Sequence, residues 1–121
     1  MKKPYSRSDR VGGLIKQEMA ELLLKEISDP CIAQATITGV KVSSDLRIAK
    51  IYFTTTGIEG ASEKALAGFN RARGFIKREL AQRLGLRYMP DLHFFYDDSI
   101  DRGARIEQLL KMVKADDKTN H

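Results

Sequence analysis

The sequence predicts a two-layer α+β domain, a three-stranded mixed sheet with helices on one face. Three observations predict it. Stretches of helical apolar spacing alternate with β-branched and aromatic runs in the order α-β-β-α-α-β-α. The first two strands are separated only by the turn-forming Ser43-Ser44-Asp45, which calls for an antiparallel hairpin. The second and third strands are separated by a helical crossover, which pairs strands in parallel through a right-handed connection. A chain of 121 residues makes one domain, with a core at about 6–114 and a polar tail at 115–121.

The first helix is expected from about Ser8 to Ile27. Val11, Leu14, Ile15, Met19, Leu22, Leu23 and Ile27 recur at helical spacing, with Lys16, Gln17, Glu21 and Lys25 mostly on the other side. Gly12-Gly13 weakens its first turns by about 1 kcal/mol each. Asp29-Pro30 stops it, because the residue before proline is steered out of helical geometry. Thr36–Val42 and Leu46–Thr55 read as strands, and Gly57 and Gly60 bound a loop.

Ser62 is the expected N-cap of two short helices. Leu66, Phe69, Phe75, Ile76, Leu80 and Leu84 form their apolar side; one continuous helix would tolerate Gly74 at about 1 kcal/mol, and a break or kink there is the preferred reading. Gly85 ends the second of them. Asp91–Asp97 is the third strand. A last helix, roughly Asp101 to Lys114, carries Ile106, Leu109, Leu110 and Val113.

Composition excludes several classes. Hydrophobic residues make up 42% and charged residues 31%, so a core forms without covalent or metal staples. Cys31 is the single cysteine, which rules out an internal disulfide framework and every multi-cysteine zinc pattern. The basic start is followed by a charged amphipathic segment, not the apolar run of a secretory signal, and no stretch approaches the ~20 apolar residues of a membrane span. A cytoplasmic, reducing compartment is the expectation, with no membrane partner. Gly12-Gly13 and Gly57–Gly60 lack the Lys-Ser/Thr that follows in a nucleotide-binding loop.

The net charge of +5 is concentrated. Residues 71–87 hold Arg71, Arg73, Lys77, Arg78, Arg83 and Arg87 against the single acid Glu79. Arg7 and Arg10 belong to a basic N-terminal arm. Solvated helices usually mix signs through i, i+4 pairs, so a segment with one acid points to an anionic partner. Arginine, dominant here, suits planar contacts to phosphate or base. A helix, a glycine and a second arginine-rich helix can also present backbone N–H groups to a phosphate. KH domains use a Gly-x-x-Gly loop in this way; Arg71-Ala72-Arg73-Gly74-Phe75-Ile76-Lys77-Arg78 has one glycine in place of two.

Five segments resemble the ribosome-binding factor A family, in order and over nearly the whole chain. They are Arg10-Val11; Leu22 to Pro30; Val42 to Tyr52 across the hairpin; Ala72-Arg73-Gly74-Phe75-Ile76, matching the family's Ala-x-Gly interhelical kink; and Phe94 to Ser99. The resemblance implies a KH-like fold of the bacterial type II. It also implies a non-enzymatic, monomeric assembly factor for the 30S small ribosomal subunit. Such a factor assists late maturation and 5′-end processing of 16S rRNA, supports growth in the cold, and leaves with help from a ribosome-associated GTPase. Carried onto this sequence, the RNA contacts are Arg73, Gly74, Lys77 and Arg78 at the kink, with Ala72 shaping it. Arg71, Arg83 and Arg87 extend the patch, and Arg7 and Arg10 reach a neighbouring phosphate.

Other clusters are weaker. Asp97, Asp98 and Asp101 hold Mg²⁺ in one reading and form a helix N-terminal turn, capped by Asp98 or Ser99, in the preferred one. His93 has no nucleophile motif beside it. Of Tyr52, Phe53, Phe94, Phe95 and Tyr96, about half are expected in the core, along with Phe69 and Phe75. Two rival functions remain: a small metal-using nuclease or RNA-modifying enzyme, and a module that docks an acidic protein. No cofactor or metal is expected.

Overall fold

The computed structural model describes residues 6–56, 60–99 and 106–113. Its elements are α1 (Arg7–Lys25), β1 (Thr36–Val42), β2 (Ile48–Thr54), α2 (Ala61–Leu84) and β3 (Asp91–Tyr96). Residues 106–113 are helical, as expected; the rest of the predicted last helix, with Asp101, lies outside the described residues.

The sheet order is β1-β2-β3. β1 pairs antiparallel with β2, and β2 pairs parallel with β3, both as the connections demand. The β1–β2 register shifts between Ile37 and Gly39, leaving Thr38 as the extra residue of a bulge. Its hydroxyl donates to the Asp97 carboxylate at 2.6 Å, and Asp97 N–H donates to Phe53 O at 2.6 Å. Asp97 thereby fastens the end of β3 to both other strands.

α1 runs from Arg7 to Lys25, within two residues of the expected bounds at each end. Ser6 is the N-cap of a capping box: its hydroxyl accepts Asp9 N–H at 3.2 Å, while the Asp9 carboxylate accepts Ser6 N–H at 3.4 Å. Arg7 and Arg10 therefore belong to the first turn of a helix, not to a loose arm.

α2 corrects the expectation of two short helices. It is one helix of 24 residues that runs through Gly74. A mid-helix glycine costs about 1 kcal/mol, and the continuous inner stripe of Ala65, Phe69, Ile76 and Leu80, all fully buried, outweighs it. The N-cap is Gly60 in left-handed geometry (φ 80°), with no side-chain cap bond, so Ser62 does not cap. Gly85 ends the helix at φ 64°, where its N–H reaches Ala81 O.

The core lies between the helices and one face of the sheet. α1 packs over β1 and α2 over β3, and Ile15, Met19 and Leu22 of α1 join one core with Ile37 of β1, Ala49, Ile51 and Phe53 of β2 and Leu92 and Phe94 of β3. The Phe69 ring sits 4.9 Å from Phe53 and 4.9 Å from Phe94, nearly parallel to the latter at 12°. Phe75, expected in the core, is 39% exposed. Adjacent helical residues diverge by about 100°, so Ile76, which is fully buried, turns Phe75 outward.

Two glycines set packing distances. A Cβ at Gly68 would stand 2.8 Å from Ile32 Cγ1 and 3.2 Å from Cys31 Cβ, so the Cys31-Ile32 segment lies directly on α2. A Cβ at Gly12 would stand 3.2 Å from Val40 O, which gives that glycine a purpose despite its helical cost. Gly68→Ala should destabilise the fold by about 1–3 kcal/mol through overpacking. Chemical denaturation of the variant checks this; an unchanged midpoint and slope would contradict the packing described.

Candidate nucleic-acid interface

The roll of α2 about its axis decides which of its basic residues are free. With Phe69, Ile76 and Leu80 turned inward, Arg71, Gly74 and Arg78 share the outermost strip at i, i+3 and i+7. All three are exposed. Nothing lies within 4 Å of the place a Gly74 Cβ would occupy. The fold therefore has no need of glycine there. It leaves a shallow dip in the helix surface between two arginines, with exposed Phe75 beside it.

Arg71 and Lys77 pair with acids from outside α2. Arg71 Nη2 is 3.3 Å from Asp29 Oδ2. Cys31 N–H donates to the same carboxylate at 2.9 Å, and that amide, ahead of Arg71, holds Asp29 below its ordinary pKa. Lys77 Nζ is 2.7 Å from Asp91 Oδ1 and holds that carboxyl below its ordinary value. Arg73 donates to Asn70 Oδ1 one turn back. Among the described residues, Arg78 has no ion-pair partner.

Arg83 has a different role from the one its place in the basic run suggests. Its guanidinium bonds Glu18 of α1 at 3.2 Å and also Glu26 beyond the end of α1. Its Nε faces Glu79 at 4.0 Å, beyond hydrogen-bond length. The side chain is only 22% exposed. The hydrogen bond to Glu18 raises its pKa, against the opposing effect of burial. Arg83 ties α1 to α2 and is withdrawn from the patch.

The sequence predicts one patch spreading from Gly74; the structure divides it. Along the middle of α2, Arg71, Gly74 and Arg78 share the outward strip, whereas Arg73 and Lys77, at i and i+4, lie on the flank toward Asp91 of β3; Ala72 is half-buried. Arg87 lies past the end of α2, its guanidinium 5.6 Å over the ring of Tyr88, and lines one groove with Arg7. Arg10 is exposed on the first turn of α1.

Charge counting by segment missed the partners because Asp29, Asp91, Glu18 and Glu26 lie outside the counted window. It also missed the outward Phe75, although its adjacency to Ile76 carried the signal.

The other candidate residues take structural places. Asp97 accepts from Thr38 and, at 3.0 Å, from Ser99 N–H; the turn expected to be capped by Asp98 or Ser99 runs on into residues outside the described ones. Among the described residues no group of three or more His, Cys, Asp or Glu could hold a metal ion. His93 is exposed on the open face of β3. Phe53 and Phe94 are core, whereas Tyr52 and Phe95 pair on the open face with ring centroids 5.7 Å apart. No helix of the described residues is long and apolar enough to cross a membrane.

The model of the family described as ribosome-binding factor A matches residues 7–110. A relative named ribosome-binding factor A from Desulfatibacillum aliphaticivorans is 50% identical over 92% of this chain and 90% of its own length. Another of that name, from Thioalkalivibrio sulfidiphilus, is 43% identical over 100% of this chain and 94% of its own. Among solved structures, the crystal structure of ribosome-binding factor A from Thermus thermophilus aligns with TM-score 0.64 and 26% identity, covering 74% of this chain and 94% of that one. A Thermus thermophilus ribosome-binding factor A model fitted into the map of a 30S complex aligns with TM-score 0.53 and 25% identity, covering 70% and 93%.

Two outcomes are expected. Gly74→Ala should stabilise the free protein by about 0.5–1 kcal/mol, since the position is helical and open; thermal unfolding checks it, and destabilisation would show that the glycine serves the fold. Asp29, Asp45 and Asp91 all have lowered pKa values in the folded protein. A lowered folded pKa gives stability that is full above the ordinary aspartate value of about 3.9 and is lost as pH falls through the folded value. Melting temperature should therefore fall modestly below about pH 4, since these carboxylates are exposed, and Asp45→Asn with Asp91→Asn should reduce that fall; an unchanged profile contradicts these assignments.

Proposed function

Because this chain belongs to the ribosome-binding factor A family, we propose that it binds the 30S small ribosomal subunit through 16S rRNA. The outward strip of α2 carries the reading. Gly74 costs the free helix stability and gives the fold nothing in return, and it lies between the exposed Arg71 and Arg78. A residue that only lowers stability is explained by a partner that comes close to the helix backbone. The Thermus thermophilus protein fitted into a 30S complex supports the choice of partner.

Binding is non-catalytic in this reading. Arg78 and Arg73 contact phosphates directly. Arg71 and Lys77 exchange Asp29 and Asp91 for phosphate oxygens, a small cost because exposed ion pairs are worth about 0–1 kcal/mol. Phe75 offers a ring to an unpaired base. Arg7, Arg10 and Arg87 add contacts from the end of the molecule where α1 begins. The factor works as a cytoplasmic monomer late in 30S maturation, assists 16S rRNA 5′-end processing, supports growth in the cold, and departs with the help of a ribosome-associated GTPase.

The test is binding to purified small subunits across a salt series, with large subunits and random single-stranded RNA as competitors. About five neutralised phosphates predict a 10²–10³-fold loss of affinity from 50 to 200 mM salt, with small subunits preferred. Arg78→Glu should weaken binding while leaving the melting temperature unchanged. A flat salt response, or equal binding to all three targets, would contradict the proposal.

A further inference from the structure

A second basic feature lies at the far end of α2, about 16 Å along the axis from Gly74 to Gly85. The first turn of α1, the β1–β2 turn and the segment after Gly85 converge there on a groove of about 360 Å³. Its floor is apolar, from Val11, Leu46, Leu86 and Pro90. Its rim carries Arg7, Arg47 and Arg87 against one acid, Asp45, and Tyr88 stands at its edge. Three elements distant in sequence thus bring three arginines and an exposed tyrosine to one place.

The groove is preformed. The Ser43 hydroxyl accepts Arg47 N–H at 3.2 Å and Ile48 N–H at 3.0 Å, and donates to Asp45 Oδ1 at 2.6 Å. Arg47 O accepts Asp91 N–H at 2.8 Å, which locks the turn to β3. Leu46 is held at φ 60°, a left-handed geometry that a leucine rarely adopts. This conformation puts the Leu46 side chain in the floor and leaves the Arg47 side chain 84% exposed above it.

The charges favour an anion. Asp45 has one oxygen engaged by Ser43 and Arg47 N–H, and its Oδ2 stands 3.9 Å from Arg47 Nε. Arg7 and the positive end of the α1 dipole both attract an anion here, with the Asp9 carboxylate of the same turn engaged in the capping box. Tyr88 is 80% exposed despite its size, and Arg87 lies over its ring. An exposed aromatic ring beside several arginines, over an apolar floor, is what an unpaired base with its flanking phosphates requires. A volume near the lower end for small-molecule sites suits a single nucleotide.

We propose that this groove takes one unpaired nucleotide of ribosomal RNA. Tyr88 stacks on the base, and Arg7, Arg47 and Arg87 hold the adjoining phosphates. The inference rests on the RNA-binding reading above and adds a nucleotide site separate from the α2 strip.

The experiment measures binding of the full chain to purified small ribosomal subunits across the same salt range. Tyr88→Ala should weaken binding about tenfold with no change in the slope of log affinity against log salt, because a stacking contact releases no counterion. Tyr88→Phe should restore it. Arg47→Gln should weaken binding and lower the slope by about one. Both sites are largely exposed, so melting temperatures should stay at the parent value. Ultraviolet crosslinking should join the Tyr88 peptide to RNA. Unchanged affinity for Tyr88→Ala and Arg47→Gln, with Arg78→Glu still impaired, would overturn the groove and leave the RNA reading standing. A crosslink to a ribosomal protein would overturn it likewise. Failure of the parent protein to bind small subunits selectively would overturn both.

Discussion

The Phe69 ring, packed against Phe53 and Phe94 at 4.9 Å each, fixes how α2 is rolled about its own axis. Much of the molecule follows from that contact. Once Phe69, Ile76 and Leu80 face the sheet, Arg71, Gly74 and Arg78 must face outward, since a helix turns about 100° per residue. Gly68 follows too, as the residue beside Phe69 that has to admit Ile32. Arg83 is carried to the α1 side, where Glu18 and Glu26 meet it. Burying three aromatic rings is worth several kcal/mol, far more than the exposed ion pairs around them. The apolar stripe therefore dictates the electrostatics.

The acidic partners sort the arginines into two kinds. Arg83 is wedged between helices, with carboxylates from α1, from the residue that caps it and from α2 itself, and its side chain is mostly covered. It orients α1 on α2. Arg71 and Lys77 sit in open pairs that contribute little to stability. Net charge says only that an anion is attractive. Which cations stay available depends on carboxylates brought in by the fold.

Most of the fold was legible in the sequence because its signals are local. The three residues between β1 and β2 dictate a hairpin, and the helical crossover dictates parallel pairing with β3. Elements with strong apolar spacing were placed to within a few residues. Misreadings arose where a tertiary contact overrode a local rule. Gly74 reads as a helix breaker, yet the buried stripe carries α2 through it. Ser62 reads as a cap, yet the chain enters α2 through left-handed Gly60. Phe75 reads as core, yet Ile76 takes the inward position. The candidate site was half legible. The cluster around Gly74 stood in one stretch of chain, whereas the Arg7–Arg47–Arg87–Tyr88 groove unites three separate stretches and gave no linear signal.

If α2 divides its arginines between holding the fold and meeting RNA, their chemical reactivity must divide the same way. Modification by an arginine-selective reagent, read by peptide mass with and without bound small subunits, tests this directly. Arg78 should react freely in the isolated protein and become protected on binding, while Arg83 should stay unreactive in both states. Equal reactivity of Arg78 in the free and bound protein, or a freely reactive Arg83, would contradict that division.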